Sequence, residues 1–250
     1  MGAGQVMWNF ETVLAVSLIF ALAGAVKGVI GLGLPSVSLA ILTIFFGLQP
    51  AMSLLLVPSL VTNVWQACDG GRMRELLRRL WLFLLCAAGG IWAGVEILAG
   101  ADTALLAKLL GVLLAAYAVL GLTTPKMALP AAAERWAGPV LGAINGVLTG
   151  LTGSFVVPGV PYLQALGLSR DTLVQAMGIL FTISTLAVAI ALQGKRLISG
   201  DQALMSLAAV APAVIGMMLG QRIRRRLSEP VFRKVLFFSL LALGLYIVVR

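Results

Sequence analysis

One lysine has the clearest chemical potential in this sequence. Lys27 lies within a long apolar stretch, residues 12–47, and no acidic residue near it in sequence offers a counter-charge. A lysine at the centre of a bilayer costs about 3 kcal/mol on insertion scales, so an anionic ligand would supply the missing partner. The alternative is that Lys27 extends along its own aliphatic stem to the membrane surface.

Glycine and proline interrupt this stretch and a second apolar stretch, residues 137–167. Gly33 precedes Pro35 in the first, and Gly153 precedes Pro158 in the second. Broken helices at membrane depth expose backbone groups, which are tolerated only inside protein or beside a wet cavity. The N-terminus of a half-helix there offers free N–H groups and the positive end of its dipole, so we expect an anion site.

The predicted binding residues are Lys27, the glycines of the two stretches and nearby polar side chains. They are Lys27, Gly31, Gly33, Ser36, Asn63, Gln66, Asn145, Thr149, Gly150, Thr152, Gly153, Ser154 and Gln175. Close helix packing is the competing interpretation for the glycines at four-residue spacing, and it is favoured for Gly24, Gly28, Gly142, Gly146 and Gly150.

Polar residues also recur on one face of the segment 51–67. Ser59, Thr62, Asn63 and Gln66 share that face because they are three and four residues apart. Segment 172–192 carries a second polar set, which comprises Gln175, Thr182, Ser184 and Thr185. These side chains either line a pathway or form hydrogen bonds between helices.

Composition decides the class of protein that must position these residues. The 250 residues are 60% hydrophobic and only 11% charged, against about 25% charged in soluble domains. No soluble surface can be built from so few charges, and a membrane-embedded helical bundle remains. The sequence has no histidine and only nine acidic residues, which argues against hydrolytic and metal-dependent chemistry, so neither an enzyme nor a cofactor or metal is expected.

Charge fixes the expected topology. The net charge of +9 comes largely from short loops, above all 69–79 and 220–234, so it reflects orientation in the bilayer and not nucleic-acid binding. Both loops are predicted to be cytoplasmic. The clear spans between them are even in number, so residues 137–167 must form a hairpin or a re-entrant loop. The clear predicted spans are residues 51–67, 80–99, 104–122, 172–192, 203–219 and 235–249.

The two interrupted stretches resemble each other, which predicts an internal repeat. Residues 12–122 form the first copy and 137–249 the second, within one membrane domain spanning 1–250. The three clear spans between the stretches give the copies opposite orientations, as in many secondary transporters. The predicted fold is all-α, a polytopic bundle of eight to ten transmembrane helices. Each copy opens with a helical hairpin broken by glycine and proline, and the two breaks are expected to meet halfway through the membrane.

The glycine pattern resembles the TauE/SafE family of sulfite exporters, also called the toluene sulfonate uptake permease family. The matching residues are Gly24, Gly28, Gly31, Gly33 and Pro35 in the first copy, and Gly142, Gly146, Gly150, Gly153 and Pro158 in the second. The resemblance implies a multi-pass protein of the bacterial inner membrane that moves sulfite, organosulfonates or other small sulfur-containing anions.

The expected partners are a small anion and the lipid bilayer, and a homodimer stays open. With the cell interior negative, export of an anion runs downhill, at about 2.3 kcal/mol per charge and 100 mV. No acidic residue lies at the centre of a span, so export driven by the membrane potential is favoured over proton coupling through a carboxylate. A non-transporting membrane scaffold is the alternative, although it would need neither broken helices nor an intramembrane lysine.

Overall fold

The computed structural model describes residues 8–123, 128–223 and 229–250, and within these ranges the chain forms α-helices joined by short turns. Seven described segments are long and apolar enough to cross a membrane, which confirms the predicted polytopic bundle. The helices in chain order are α1 (Phe10–Ile30), α2 (Leu34–Phe46), α3 (Leu48–Cys68), α4 (Met73–Gly100), α5 (Thr103–Thr123), α6 (Ala131–Thr152), α7 (Gly159–Ala165), α8 (Arg170–Gly194), α9 (Gly200–Ala208), α10 (Val210–Ile223) and α11 (Glu229–Val249).

Helices α9 and α10 together make one crossing, Gly200–Ile223. This crossing begins with a capping box, in which the Ser199 hydroxyl accepts from the N–H of Gln202 and the Gln202 side chain accepts from the N–H of Ser199. With that pair counted once, the described residues contain ten helical segments, of which seven are long and apolar enough to cross a membrane. The basic residues Lys126, Arg224, Arg225 and Arg226, which contribute to the predicted cytoplasmic charge, lie outside the described residues.

The helices associate in pairs through small residues. Helix α1 packs along α10, and α6 packs along α4. A Cβ atom on Gly24 would overlap the Ala213 carbonyl oxygen, and one on Gly146 would overlap the Ala87 carbonyl oxygen. Because lipid tails are as apolar as leucine, such close backbone approach is a main source of helix association in membranes. The packing interpretation of these glycines is therefore confirmed.

The remaining long helices pair in opposite directions. Helix α3 runs antiparallel to α8, because Gln49 contacts Leu197 at one end and Gln66 contacts Val174 at the other. Helix α5 crosses α11 where Gly111 and Gly244 face each other, and each carbonyl oxygen lies close to where the other glycine would carry its Cβ. Two halves related by a two-fold axis would make such reciprocal contacts, although the inverted repeat itself stays a prediction.

The segment before α8 is a hairpin, as the predicted topology requires. The N–H of Leu129, just before α6, donates to the carbonyl of Ala165 at the end of α7 at 2.9 Å, so the hairpin begins and ends at the same level. At this end Arg79 forms an ion pair with Glu134. At the opposite end of the bundle Lys195 pairs with Glu96. Residues predicted to share a side of the membrane therefore lie together.

Candidate functional site

The first helix break follows α1. Gly31 ends α1 in the left-handed conformation, with φ +86°, and its N–H donates to the Lys27 carbonyl at 2.7 Å. Gly33 has φ +113° and precedes α2, which has Pro35 in its first turn. L-residues with side chains rarely adopt these angles, so the two glycines let the chain reverse here. Ser36 is buried in the first turn of α2.

The second break follows α6 and ends the helix in the same way. Gly153 has φ +73°, and its N–H donates to the Thr149 carbonyl at 2.7 Å. The Thr149 hydroxyl donates to the Ser154 carbonyl at 2.9 Å, and the Ser154 N–H donates to the Thr152 hydroxyl at 3.3 Å. Three of the predicted site residues therefore brace this turn, and the Ser154 hydroxyl is buried without a hydrogen-bond partner among the described residues.

The two breaks do not meet at one level of the membrane. Gly31 lies against Val174, near the Gln66 end of α3, whereas Gly153 lies against Met52, near the other end. Met52 and Gln66 are roughly 20 Å apart along the helix at 1.5 Å per residue. The expectation of breaks that meet halfway is therefore wrong. The reason is that α1 and α6, with 21 and 22 residues, are each about 30 Å long at 1.5 Å per residue, the thickness of the hydrocarbon core, so neither helix ends halfway.

Lys27 lies in the last turn of α1 and is 3% exposed. Its Nζ donates to the Thr62 hydroxyl at 3.2 Å and to the Asn63 side-chain oxygen. Both partners are neutral, and Lys27 forms no ion pair with a described carboxylate. The ammonium group is therefore held within the protein, and the alternative in which it reaches the membrane surface is wrong.

Several buried hydrogen-bond donors around Lys27 have no partner. Since an ammonium has three N–H groups, Lys27 keeps at least one beyond Thr62 and Asn63. The Asn63 amide nitrogen and the Ser59 hydroxyl, one turn apart on α3, have no partner among the described residues. Leaving such groups unpaired costs about 1–3 kcal/mol each, so this face of α3 is poised to donate to an acceptor.

Helix α8 presents hydroxyl groups at the same level. Gly178 of α8 lies directly against Gln66 of α3. Ser59 lies two helical turns before Gln66 on α3, and Ser184 and Thr185 lie about two turns after Gly178 on α8. Because the two helices are antiparallel, these three residues reach the same level. The Ser184 hydroxyl is buried without a partner among the described residues. We call the six residues near this level the central polar cluster: Lys27, Ser59, Thr62, Asn63, Ser184 and Thr185.

Asn145 approaches this cluster from α6. Its side-chain oxygen accepts from the N–H of Gly159 at 2.9 Å, and Gly159 also lies close to Leu180, one turn of α8 from Ser184. The Asn145 amide nitrogen is buried without a partner among the described residues. The N–H at the start of α7 therefore already donates to Asn145. The donor left unpaired here is the side-chain amide of Asn145, and not the backbone N–H that was expected to bind an anion.

Two further predicted residues tie α3 to α8. The Gln66 amide donates to the Val174 carbonyl at 2.7 Å, and the Gln175 amide donates to the Ala67 carbonyl at 2.9 Å. The Gln175 oxygen also accepts from the backbone N–H of Arg72 at 3.0 Å. The interpretation as hydrogen bonds between helices therefore describes both glutamines, and Gln66 keeps an unpaired oxygen.

Pro58 shapes the part of α3 that carries the cluster. Proline inside a helix removes a donor to the carbonyl four residues earlier, and here the Ser206 hydroxyl of α9 donates to the Leu54 carbonyl at 2.8 Å. The same hydroxyl accepts from the N–H of Val57 at 3.1 Å. Ser206 thus satisfies the backbone at the interruption, next to Ser59.

Sequence reasoning found only part of the cluster. Ser59, Thr62, Ser184 and Thr185 were recognised as polar positions on spans but were not placed with Lys27. The shared helical face of Ser59, Thr62 and Asn63 was the available signal. Gly150, by contrast, was predicted to bind and lies against α4, where a Cβ atom would meet Gly94 at 2.8 Å, so it has a packing role.

The described helices define a multi-pass α-helical membrane protein with a buried polar centre, the architecture of a membrane transporter. A family model described as sulfite exporter TauE/SafE matches residues 16–247, and the chain belongs to this family. The resemblance predicted from the glycine pattern is therefore confirmed. Searches among curated proteins and among solved structures gave no match.

Proposed function

We propose that this chain exports small sulfur-containing anions, such as sulfite or organosulfonates, across the bacterial inner membrane. The observation that carries the proposal is the buried ammonium of Lys27, whose hydrogen-bond partners are neutral. A negative solute would complete this charge and would accept from the unpaired donors of Asn63 and Ser59. Membership of a sulfite exporter family supports the same solute class.

Two inverted repeats, residues 12–122 and 137–249, would provide the movement. The pairing of α3 with α8 and of α5 with α11 is antiparallel, as such a relation requires. The residues of the central polar cluster are buried and come from both repeats. Alternating access would then expose the cluster first to one side of the membrane and afterwards to the other. The small residues at the helix contacts would keep each pair of helices packed together as it moves.

The membrane potential would drive export. Acidic residues of the chain stand near helix ends, such as Glu11, Glu75 and Glu96, so no carboxylate is in position to relay protons through the centre. An inside-negative potential repels an anion outward by about 2.3 kcal/mol per charge and 100 mV. We therefore expect flux that follows the potential and is insensitive to a proton gradient.

Efflux from proteoliposomes tests this proposal. Vesicles with purified protein are loaded with radiolabelled sulfite, and a valinomycin-mediated potassium gradient sets an inside-negative potential. We expect efflux to increase with that potential and to be lost in Lys27→Met. Lys108→Met is the control, because Lys108 is exposed in the second turn of α5. Full efflux in Lys27→Met would remove Lys27 from the site, and flux that collapses with a protonophore at clamped potential would contradict the driving force.

A further inference from the structure

The central polar cluster contains a single charge. Lys27 is positive, whereas Ser59, Asn63, Ser184 and the other two members are neutral side chains. Neutral donors strengthen the binding of an anion but leave its charge in place. The cluster can therefore balance one negative charge and no more.

Among the described residues, the second half of the chain adds no second charge to the cluster. The helix ends align Lys27 with Thr149. Gly31 ends α1 and its N–H donates to the Lys27 carbonyl, and Gly153 ends α6 and its N–H donates to the Thr149 carbonyl. Contacts across the bundle agree with this alignment, since Gly31 lies against Val174 and Gly153 lies against Met52. Gly153 follows Gly31 by the same number of residues as Val174 follows Met52. A symmetric site with two lysines would balance two negative charges, but here the second position carries a hydroxyl.

Charged groups elsewhere in the described residues do not reach Lys27. The helices packed against α1 are α2, α10 and α11, and its last turn also meets α3 at Asn63 and α8 at Val174. The described titratable side chains of these helices are Cys68 at the end of α3, Arg170 and Asp171 at the start of α8, Arg222 at the end of α10, and Arg233, Lys234 and Tyr246 on α11. None of these forms a hydrogen bond or ion pair with Lys27.

From this charge balance we infer that the site selects singly charged oxyanions, namely hydrogensulfite and monoanionic sulfonates, over dianions such as sulfate and fully deprotonated sulfite. The inference rests on the proposed function. A dianion bound beside Lys27 would retain one unpaired negative charge in a medium of low dielectric constant, where an uncompensated buried charge is strongly unfavourable. A monoanion would leave the occupied site neutral. A neutral site can be exposed first to one side of the membrane and then to the other with the smallest electrostatic free-energy cost.

Exchange of three anions across proteoliposomes at zero membrane potential tests the inference, because clamping the potential removes the larger driving force on a dianion. The probes are methanesulfonate, which is a monoanion throughout, sulfate, which is a dianion, and sulfite, which changes from one form to the other near neutral pH. Protein-free vesicles correct for uncharged sulfur dioxide that crosses lipid. Lys27→Arg, which keeps the charge, is the matched variant for Lys27→Met.

We expect methanesulfonate exchange to exceed sulfate exchange by about tenfold or more, the ratio that corresponds to one decade of affinity. Sulfite exchange, normalised to methanesulfonate, should fall as the pH rises through the second pKa of sulfurous acid. Lys27→Arg should keep this order. Equal exchange of sulfate and methanesulfonate, or normalised sulfite exchange that rises with pH, would overturn the charge selectivity alone. No exchange of any of the three anions would refute transport itself, and the inference with it.

Discussion

The final turns of α1 and α6 have the same backbone and different side chains. Gly31 and Gly153 both end their helices in the left-handed conformation, and both N–H groups donate at 2.7 Å to the carbonyl four residues earlier. At that earlier position one helix has Lys27 and the other has Thr149. The helix break is thus a backbone conformation common to both halves. The charge four residues before the terminal glycine is a separate feature, which the first of these two helices supplies and the second does not.

The polar neighbours of these turns differ accordingly. Asn63 accepts from Lys27 through its side-chain oxygen, and Asn145 accepts from the backbone N–H of Gly159. Each asparagine keeps its amide nitrogen unpaired among the described residues. The first asparagine orients a charge, whereas the second holds the hairpin between α6 and α7 in place.

The largest difference between the halves should come from a carboxylate at these asparagines. In Asn63→Asp the new carboxylate is a permanent partner of Lys27, so it competes with the substrate, and we expect transport to fall about 100-fold or more, equivalent to about 2.7 kcal/mol. In Asn145→Asp no described cation lies beside the carboxylate, and we expect the fold to lose about 3 kcal/mol, the typical cost of a buried unpaired charge. Efflux and thermal melting in detergent measure the two effects.

Asn9→Asp is the control for the charge change, because Asn9 is an exposed N-cap whose side-chain oxygen accepts from the N–H of Thr12. It should leave both measurements nearly unchanged. Similar melting temperatures for Asn63→Asp and Asn145→Asp would mean that Lys27 does not distinguish the halves.

A smaller effect should test whether the halves pack equivalently. Gly90 of α4 lies against α6 and Gly216 of α10 lies against α1, and a Cβ atom on either would meet backbone. We expect Gly90→Ala and Gly216→Ala each to lower stability by about 1–3 kcal/mol through overpacking. Gly89→Ala is the matched control, since nothing lies within 4 Å of its Cβ position, and it should be neutral or slightly stabilising. Unequal losses at Gly90 and Gly216, measured by thermal melting, would argue against equivalent halves.

Composition and hydropathy predicted the fold class because a chain with so few charges has no alternative to the membrane. The glycine pattern predicted the helix breaks, as Gly31 and Gly153 illustrate, since a left-handed helix end depends on a local residue choice. The pairing of Lys27 with Thr62 and Asn63 could not be predicted, because it depends on how α1 and α3 pack. The same limitation affects the alignment of the repeat. The motif Gly24-Ala-Val-Lys-Gly28 resembles Gly142-Ala-Ile-Asn-Gly146 and so matches Lys27 with Asn145, whereas the helix ends match it with Thr149.

The two glutamines that join α3 to α8 allow a further comparison of the halves. Gln175 makes two hydrogen bonds, to the Ala67 carbonyl and from the Arg72 N–H, whereas Gln66 makes one, to the Val174 carbonyl. Each hydrogen bond contributes about 0.5–1.5 kcal/mol. We expect Gln175→Leu to destabilise the protein about twice as much as Gln66→Leu in thermal melting. If Gln66→Leu instead weakens sulfite-dependent stabilisation while leaving the melting temperature unchanged, the Gln66 side chain contacts the substrate.

The smallest expected effect concerns the ion pairs at the two ends of the bundle. Arg79 donates to both oxygens of Glu134 at 2.7 and 2.8 Å and joins α4 to α6, whereas the Lys195–Glu96 pair is more exposed. Two parallel guanidinium hydrogen bonds bind a carboxylate more strongly than one ammonium group does, but exposed pairs contribute at most about 1 kcal/mol. We therefore expect Arg79→Gln to lower the melting temperature slightly and Lys195→Gln to leave it unchanged. High salt should reduce the Arg79→Gln difference, because screening weakens the pair in the wild-type protein. A salt-independent loss would mean that Arg79 acts through its contact with the Leu166 carbonyl, which closes the hairpin of the second half.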